Sequence, residues 1–381
     1  MLHEISKELL QAEIERVLRK IDFNLDRWTD RFPDPASENM KYEDIDNVEW
    51  TTSFWTGMLW LAYEYTKDEK YRRVAKKHTD SFRHRLEAEI ALDHHDIGFL
   101  YTLSCVADYK LTGSREAGDI AVKAADRLCS RYHDQAGILQ AWGDLNDPQE
   151  QGRMIIDCLM NLPLLYFAAG ETGDKTYYEI ALGHAEKAAQ YLVREDNTTY
   201  HTYYFDVQSG APRYGRTHQG AYDDSCWARG QAWGVYGFLL SYRYTGNVQF
   251  LDTACRLADY FIDSLPEDGI CYWDLVFRDG AYEPRDSSAM VITACGLLEL
   301  LKELPYCESQ RRCRYEAFIS RTFHTLRRHY VSDDLKEDGI LLHGTYGKNP
   351  NHRGVDQFCI WGDYYYLEML TRLISVWTPY W

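Results

Sequence analysis

A short turn recurs four times in this chain, each time between two helical segments. The four copies read TKDEKY from residue 66, TGSREA from 112, TGDKTY from 172 and TGNVQF from 245. Segments before the turns, such as GQAWGVYGFLLSYRY, are apolar nearly all round, whereas segments after them carry an apolar stripe at helical spacing opposite a charged face. Buried and half-buried helices are therefore expected to alternate along the chain.

The same periodicity predicts about twelve helices over the whole chain. Alternating buried and half-buried helices suit an all-α fold, an (α/α)6 barrel, in which an outer ring of helices surrounds an inner ring. An open helical solenoid is the alternative. The repeats differ in length, and Trp, Tyr and Gly concentrate in the loops before the inner helices, which favours closure around a cleft. The expected helices lie near residues 3–31, 52–66, 69–87, 97–112, 115–133, 154–172, 175–194, 226–245, 248–265, 287–303, 308–330 and 362–376.

Two stretches among the cleft loops combine β-branched and aromatic residues with Gly-containing turns. Residues 200–215 (YHTYYFDVQSGAPRYG) and 269–284 (GICYWDLVFRDGAYEP) are predicted to form short β-hairpins. No Pro/Gly/Ser-rich linker and no change of composition interrupts the sequence. Residues 1–381 are therefore expected to form a single domain.

The chain is acidic, with a formal net charge of -17 at pH 7. Nucleic acids and anionic membranes are bound by clustered basic surfaces, which no run of Lys or Arg provides. Neither is therefore an expected partner, and the sequence leaves the oligomeric state open. The N-terminus lacks the apolar stretch of a signal peptide, and no transmembrane segment is apparent. Ten scattered cysteines without a CxxC pair indicate reduced core thiols, so a cytoplasmic protein is expected.

Two aspartates stand at the starts of predicted inner helices. Asp157 lies in the apolar string GRMIIDCLMNLPLL, where desolvation should raise its pKa and make the carboxyl a competent general acid. A carboxylate hydrogen-bonded within the first turn of its helix, for example to Asn161, is an equally good interpretation. Asp96 lies in LDHHDIGFLY, and on local grounds a helix N-cap is the better interpretation.

Other side chains near the loop-to-helix junctions suit either a sugar cleft or the protein core. Trp50 and Trp142 offer flat surfaces for sugar rings, although a buried Trp more often belongs to a core. Arg229 lies between two tryptophans and needs an acceptor, which a substrate carboxylate or an internal Asp such as Asp223 or Asp224 would provide.

Metal-dependent and nucleophilic mechanisms have little support in the sequence. His94 and His95 adjoin Asp96 but lack the i, i+4 spacing of ligands on one helical face, so no metal or other cofactor is expected. The sequence contains no GxSxG, P-loop, strand-borne GxGxxG or HExxH motif. An acid/base pair of carboxyl groups is the remaining candidate.

Eight strings occur in the order found in one enzyme family: LDHHDIGFLY, QAWG, IIDCLMNLPLLYFA, YHTYYFD, THQG, ARGQAWGVYGF, RDSSAMVITACGLLE and IWGDYYYLE. They resemble the unsaturated glucuronyl hydrolases of glycoside hydrolase family 88, over roughly residues 45–375. The resemblance implies an (α/α)6 barrel that acts on the products of polysaccharide lyases. In that family the C4=C5 double bond of a terminal unsaturated uronic acid is hydrated, and the next sugar is released.

The resemblance also implies roles for individual residues. Asp157 matches the family's proton-transferring aspartate, which protonates C4 and assists the addition of water at C5, and Asp96 matches its partner. Substrate binding is implied for Trp50, His95, Trp142, His201, Gln219, Arg229, Trp233 and Tyr346. The string HGTYGKNPNHRG at 343–354, which contains Tyr346, departs from the family pattern. The linkage and sulfation of the departing sugar are therefore not assigned.

The expected substrates are unsaturated di- or oligosaccharides derived from chondroitin, hyaluronan or heparin. The first alternative is the related unsaturated rhamnogalacturonyl hydrolases, which share the barrel and the hydration chemistry but cleave pectin fragments. The strings HHDIGF and IIDCLMN favour the glucuronyl branch. The second alternative is a non-catalytic helical scaffold that binds partners through a concave face, and the family motifs argue against it.

Overall fold

The computed structural model describes residues 4–148, 150–349 and 352–381. Twelve helices account for most of these ranges, and the fourth contains a π-helical turn between two α-helical segments. Their bounds are α1 Lys7–Asn24, α2 Thr52–Thr66, α3 Glu69–Glu87, α4 Ile97–Tyr101 with Thr102–Val106 and Ala107–Thr112, α5 Arg115–Cys129, α6 Leu162–Thr172, α7 Lys175–Tyr191, α8 Ala228–Thr245, α9 Val248–Asp263, α10 Ser287–Glu303, α11 Ser309–His329 and α12 Ile360–Ile374.

Six of these helices, α2, α4, α6, α8, α10 and α12, are buried along most of their length and form the inner ring. Each contacts the next inner helix in chain order, and the ring closes where α12 packs against α2. The other six helices pack outside it with one buried face; α9, for example, buries Phe250, Ala254, Leu257 and Phe261. The predicted (α/α)6 barrel is confirmed, and its closure excludes the open solenoid.

The four recurrent turns share one capping arrangement that connects an inner helix to the next outer helix. The second residue of each turn has a left-handed backbone and ends the inner helix: Lys67 (φ 59°), Gly113 (71°), Gly173 (74°) and Gly246 (68°). The third residue accepts a backbone N–H from the first turn of the outer helix: Asp68, Ser114, Asp174 and Asn247. The repeat in the sequence is therefore a repeat of helix stop and start signals.

Short antiparallel strands occur in the loops that precede inner helices. They pair as β1–β2, β3–β4, β5–β6–β7 and β8–β9. Their bounds are β1 Phe32–Pro33, β2 Asp44–Ile45, β3 Tyr132–His133, β4 Ile138–Leu139, β5 Arg153–Ile155, β6 Thr202–Phe205, β7 Pro212–Arg216, β8 Gly344–Gly347 and β9 Arg353–Gln357. Strands β6 and β7 confirm the hairpin predicted at residues 200–215.

The hairpin predicted at residues 269–284 is wrong. The segment forms only isolated bridges, one of which pairs Asp274 with Trp227. The buried carboxylate of Asp274 accepts the backbone N–H groups of Ala221 at 2.9 Å and Cys226 at 3.2 Å. These contacts tie the segment to the loop before α8. Between the two ends of the segment, pairing is limited to one antiparallel bridge between Tyr272 and Arg285, where the N–H of Trp273 donates to the carbonyl of Pro284 at 3.0 Å.

Two helix boundaries also differ from the prediction. The helix expected from residue 154 is preceded by β5, which pairs with β6, and by a 3-10 helix over Ile156–Met160. The helix expected over residues 3–31 ends at Asn24, and its residue 3 lies outside the described residues.

The hairpin β8–β9 was not predicted, because its sequence, GTYGKNPNHRGVDQ, carries no regular alternation of apolar residues.

Candidate active site

A cavity of about 240 Å³ lies among the loops that precede the inner helices. Loops from five places along the chain contribute to its wall. Eight of the ten residues predicted for the site line it: Trp50, His95, Asp96, Trp142, Asp157, His201, Gln219 and Tyr346. The barrel therefore collects into one cavity residues that are up to about 300 positions apart in the sequence.

Backbone hydrogen bonds hold several of these loops side by side. The N–H of His95 donates to the carbonyl of Ala141 at 2.6 Å, and the N–H of Ala141 donates to the carbonyl of Arg153 at 2.9 Å. The N–H of Ile156 then donates to the carbonyl of His201 at 3.1 Å. The loops before α4, α6 and α8 are thereby aligned so that their polar side chains face one cavity.

Asp157 lies on the 3-10 helix between β5 and α6. Its Oδ1 atom is buried and has no hydrogen-bond partner among the described residues. Burial raises the pKa of Asp157 to about 8, and the negative charge of Asp96 acts in the same direction, against the opposing effect of Arg229. The Asn161 amide contacts the main-chain oxygen of Asp157, at 3.5 Å, rather than its carboxyl group. The carboxyl is thus free of the first-turn hydrogen bond and protonated near neutral pH.

Asp96 occupies the N-cap position of α4, but its side chain makes no capping hydrogen bond. Its carboxylate oxygens instead lie 3.4 Å from His94 Nδ1 and 3.4 Å from His95 Nε2. Burial acts to raise the pKa of Asp96, but His95, His94 and the side chain of Asn161 outweigh it and lower the pKa. Asp96 therefore keeps its charge under conditions in which Asp157 holds a proton.

Two histidines in the cavity wall are uncharged hydrogen-bond donors. His201 Nδ1 accepts the backbone N–H groups of His218 at 3.2 Å and Gln219 at 3.0 Å, so its single proton resides on Nε2. Burial holds the pKa of His201 well below its usual value. Burial also lowers the pKa of His95 to about 4. Near neutral pH neither ring carries a positive charge.

Aromatic side chains form two parts of the cavity wall. Trp50 donates from Nε1 to the Tyr346 hydroxyl at 3.0 Å and stacks on Trp361, with ring centroids 5.3 Å apart and an interplanar angle of 27°. Trp142 is covered on one side by the guanidinium of Arg153, 4.7 Å from its ring. These contacts fix the orientation of both indoles without a ligand, as a surface for a sugar ring requires.

Arg229 does not line the cavity, and its acceptor is neither Asp223 nor Asp224. Its guanidinium donates to Asp286 at 2.9 Å and to the carbonyls of Thr345 at 2.6 Å and Tyr346 at 2.5 Å. It is also sandwiched between the rings of two tryptophans, at 4.5 and 4.8 Å. Arg229 therefore anchors the strand that carries Tyr346 from behind the wall.

Trp233 is also absent from the cavity wall. It is completely buried and packs against Phe99, with centroids 5.3 Å apart, and against Tyr365 at 5.6 Å.

Gln219 does line the cavity, and its Nε2 donates to the Tyr346 carbonyl at 2.8 Å. The polar ends of Gln219 and Arg229 thus converge on the same main-chain oxygen.

Four residues of the wall were not predicted: His218, Gly347, Asn349 and Arg353. Three of them belong to the hairpin β8–β9 and its connection, whose residues 350 and 351 lie outside the described chain. Arg353 pairs with Asp34 at 2.7 Å, a residue 319 positions away in the sequence. No local pattern marks such a contact. For His218 the sequence did offer a signal, because it is the direct neighbour of the predicted residue Gln219 in the string THQG.

Within the described residues no group of three or more His, Cys, Asp or Glu side chains is arranged to hold a metal ion. In the same part of the chain, no helix combines the length and the apolar character needed to cross a membrane.

Comparison with known proteins extends over nearly the whole chain. The model of Glycosyl Hydrolase Family 88 matches residues 21–269. The unsaturated chondroitin disaccharide hydrolase of Streptococcus pneumoniae is 46% identical over 378 residues, which cover 99% of this chain and 95% of that protein. The crystal structure of an unsaturated glucuronyl hydrolase from Streptococcus agalactiae matches with a TM-score of 0.96 at 44% identity, covering 99% of this chain and 94% of the other.

An aspartate-to-asparagine variant of the Streptococcus agalactiae enzyme, solved in complex with dGlcA-GalNAc6S, matches with a TM-score of 0.88 at 42% identity and covers 99% and 94% of the two chains. The family model and these relatives identify a glycosidase, and its closed helical barrel, with two aspartates in an aromatic-walled cavity, is of the (α/α)6 type. The chain belongs to glycosyl hydrolase family 88.

Proposed function

We propose that this enzyme removes the 4,5-unsaturated uronic acid from the non-reducing end of unsaturated oligosaccharides derived from glycosaminoglycans. The observation that carries the proposal is the contrast between Asp157, whose pKa is raised to about 8, and Asp96, whose pKa is lowered. A carboxyl group that is neutral near neutral pH can give a proton to carbon, and a nearby ionised carboxylate keeps it from losing that proton to water.

In the proposed reaction the Asp157 carboxyl protonates C4 of the double bond. Positive charge develops at C5, next to the ring oxygen, and a water molecule adds at C5 while the Asp157 carboxylate takes up one of its protons. The product is a hemiketal, which opens and rearranges with release of the next sugar. Asp157 ends the cycle protonated, so no external acid or base is consumed. The rule that relates carboxyl separation to anomeric stereochemistry does not apply, because C1 is not attacked.

The surrounding residues hold the unsaturated ring against these carboxyl groups. We assign Trp50 and Trp142 to stacking on the sugar rings, and the Nε2–H of His201 to a hydrogen bond with the reacting sugar. His95, Gln219 and Tyr346 complete the polar wall. Arg229 and Trp233 support the binding surface from behind, and Arg229 does so by fixing the main chain at Tyr346.

Unsaturated chondroitin disaccharides are the proposed substrate class. The relative from Streptococcus pneumoniae is named for them, and the variant from Streptococcus agalactiae was solved with dGlcA-GalNAc6S. The cavity is small, which suits a disaccharide better than the internal part of a polymer. The partner is thus a small carbohydrate rather than a nucleic acid or a membrane.

We further propose that residues 1–381 act as one catalytic domain in a reducing compartment, such as the cytoplasm. Buried side chains of all twelve helices belong to one continuous hydrophobic cluster, which supports the single domain. All ten cysteines are free, and seven of them are buried. Thiols of this kind persist where the surroundings keep them reduced.

The proposal is tested by incubating the protein with unsaturated disaccharides from chondroitin, hyaluronan, heparin and pectin lyase digests. Loss of the ultraviolet absorbance of the double bond reports hydration. We expect the fastest loss with the chondroitin disaccharide. Loss with the pectin product alone would instead assign the enzyme to rhamnogalacturonyl hydrolysis, and no loss with any glycosaminoglycan product would overturn the proposal.

A further inference from the structure

Asn161 lies directly behind the two carboxyl groups without lining the cavity. It is completely buried, at the start of α6 and four residues after Asp157. Its Oδ1 accepts the backbone N–H of Phe99 at 2.7 Å, which fixes the orientation of the amide. The amide nitrogen consequently faces the other way, towards the main-chain oxygen of Asp157 at 3.5 Å. One side chain therefore contacts the segments that carry both aspartates.

Gly98 makes this contact possible. It lies two residues after Asp96, and a Cβ atom built on it would stand 2.3 Å from the Cα and 2.4 Å from the Cβ of Asn161. Backbone atoms cannot yield to such an overlap as the end of a flexible side chain can. The two segments approach this closely only because position 98 has no side chain.

We propose that Asn161 and Gly98 act together as positioning residues that set the placement of the Asp96 carboxylate relative to the Asp157 carboxyl group. This inference rests on the proposed function, in which those two groups do the chemistry. Neither Asn161 nor Gly98 lines the cavity. Their contribution is to fix the distance over which the charge of Asp96 acts on Asp157, and distance controls that interaction strongly in a buried site.

Several other charged or titratable groups face Asp96 and must be counted. His94 and His95 adjoin it in the chain, Asp157 faces it from the 3-10 helix, and Arg85 and Arg131 act on it from α3 and from the end of α5. Asn161 differs from all of them because its amide does not titrate, and its interaction lowers the pKa of Asp96. A change at this residue alters the pair without removing a charge.

The test is the pH profile of kcat/KM for Asn161→Ala and Asn161→Asp. We expect Asn161→Ala to lower kcat about 10- to 100-fold with little change in KM, because a small misplacement of reacting groups has effects of that size. The acid limb should also move to higher pH, since Asp96 loses an interaction that favours its charged form. Asn161→Asp keeps an acceptor for the Phe99 N–H but puts a second carboxyl group in place of the amide donor, so it should shift the acid limb further than Asn161→Ala does. A profile that superposes on the native one for both variants would overturn the inference.

Gly98→Ala provides a second variant, with Gly170→Ala as its matched control. Gly170 lies on α6, the helix that Asn161 precedes, and no atom lies within 4 Å of a Cβ built there. We expect Gly98→Ala to lower kcat and Gly170→Ala to leave it unchanged. If the two positions act as a unit, the double variant Gly98→Ala/Asn161→Ala should lose little more than the single variants. Additive losses would contradict a shared role.

A substrate-independent measurement separates this inference from the proposed function. The carboxyl carbons of labelled aspartate can be titrated by NMR, with Asp96→Asn and Asp157→Asn identifying the two signals. We expect the Asp96 midpoint to rise in Asn161→Ala. If the native protein hydrates no unsaturated disaccharide but the midpoint still rises, the proposed function fails and the positioning role stands. An unchanged midpoint for both aspartates would overturn the positioning role whatever the activity.

Discussion

Asp157, the proposed proton donor, shows how burial raises the pKa of an ordinary carboxyl group towards neutral pH. Its Oδ1 atom is buried without a hydrogen-bond partner among the described residues, and an ionised neighbour further disfavours its charged form. An unpaired buried polar atom is costly for stability. Such a cost is commonly found at functional sites, where the group must stay available for a substrate.

Replacing Asp157 with Asn should leave the fold intact and lower kcat by about 10²- to 10⁴-fold, because the amide cannot donate a proton and recover it. Steady-state kinetics on the unsaturated chondroitin disaccharide measure the loss, and circular dichroism checks the fold. Asp119→Asn, at an exposed position of α5, is the control and should retain native activity. A variant at position 157 with more than a tenth of native kcat would mean that another group supplies the proton.

The raised pKa of Asp157 also predicts how activity depends on pH. The acid form is required, so kcat/KM of the free enzyme should fall as the pH rises through about 8. The midpoint of this alkaline limb is read from a pH profile taken at constant ionic strength. An alkaline limb near pH 5 would show that Asp157 is already ionised at neutral pH and cannot be the acid.

The same shift has a consequence for stability. Folding raises the pKa of Asp157 from 3.8 to about 8, so the native state binds this proton more tightly than the unfolded state does. The native protein should therefore lose stability as pH rises from about 4 to about 8, whereas the Asn variant lacks this loss. Thermal melts of both proteins measure it: the Tm of Asp157→Asn minus that of the native protein should grow over this range and then level off. A constant difference would contradict the raised pKa.

At the scale of the elements, the four turns between inner and outer helices were predictable from sequence, because stop and start signals are local. Gly246 has a left-handed backbone, and a Cβ atom built on it would have no other atom within 4 Å, so its role is conformational. Lys67 adopts the same conformation in the first turn without the freedom of glycine. Strand β5 and the 3-10 helix that carries Asp157 were not predictable from local sequence. The pairing of β5 with β6, a strand about 50 residues further along the chain, determines their structure instead.

The two turns give opposite expectations for substitutions. Gly246→Ala should destabilise the protein by about 1 kcal/mol, since an L-residue is disfavoured in the left-handed region, and Lys67→Gly should stabilise it by a comparable amount. Chemical denaturation of both variants against the native protein measures the two changes. Changes of the same sign would mean that side-chain contacts, not backbone conformation, control these positions.

The hairpin β8–β9 depends on a buried contact that no local pattern revealed. Arg229 binds Asp286 and two carbonyls of β8, so Arg229→Met should leave Asp286 buried without its cation and cost roughly 3–5 kcal/mol. Denaturation measures the loss, and the exposed Arg216→Met provides the control. If instead stability is retained and only KM rises, Arg229 acts by binding the substrate carboxylate directly.

At the scale of the whole molecule, a strongly acidic protein is proposed to bind an acidic sugar. Alternating buried and half-buried segments in the sequence predicted the barrel but left an open solenoid as the alternative, which the contact between α12 and α2 excludes. The sequence also predicted eight residues of the cavity wall, but Arg229 and Trp233 lie in ARGQAWG, a motif none of whose residues lines the cavity. Whether a side chain in such a motif faces the cavity depends on packing between loops that are far apart in the chain.

The net charge of -17 predicts an effect of salt. Repulsion between the protein and an anionic disaccharide should be screened as ionic strength rises, so KM should fall between low salt and physiological salt. Initial rates at several salt concentrations measure this dependence. A KM that rises with salt would show that local cations such as Arg353 outweigh the overall field.

The proposed mechanism requires Asp157 to add a proton to C4 of the double bond, and turnover in deuterated water is the decisive test. We expect NMR of the product to show one deuteron at C4, on a single face, and Asp157→Asn to form almost no product. Because C4 lies next to a ketone once the hemiketal opens, spectra are recorded early in turnover, before solvent exchange at C4. Efficient turnover by Asp157→Asn with the same stereospecific deuteron would rule out Asp157 as the proton donor.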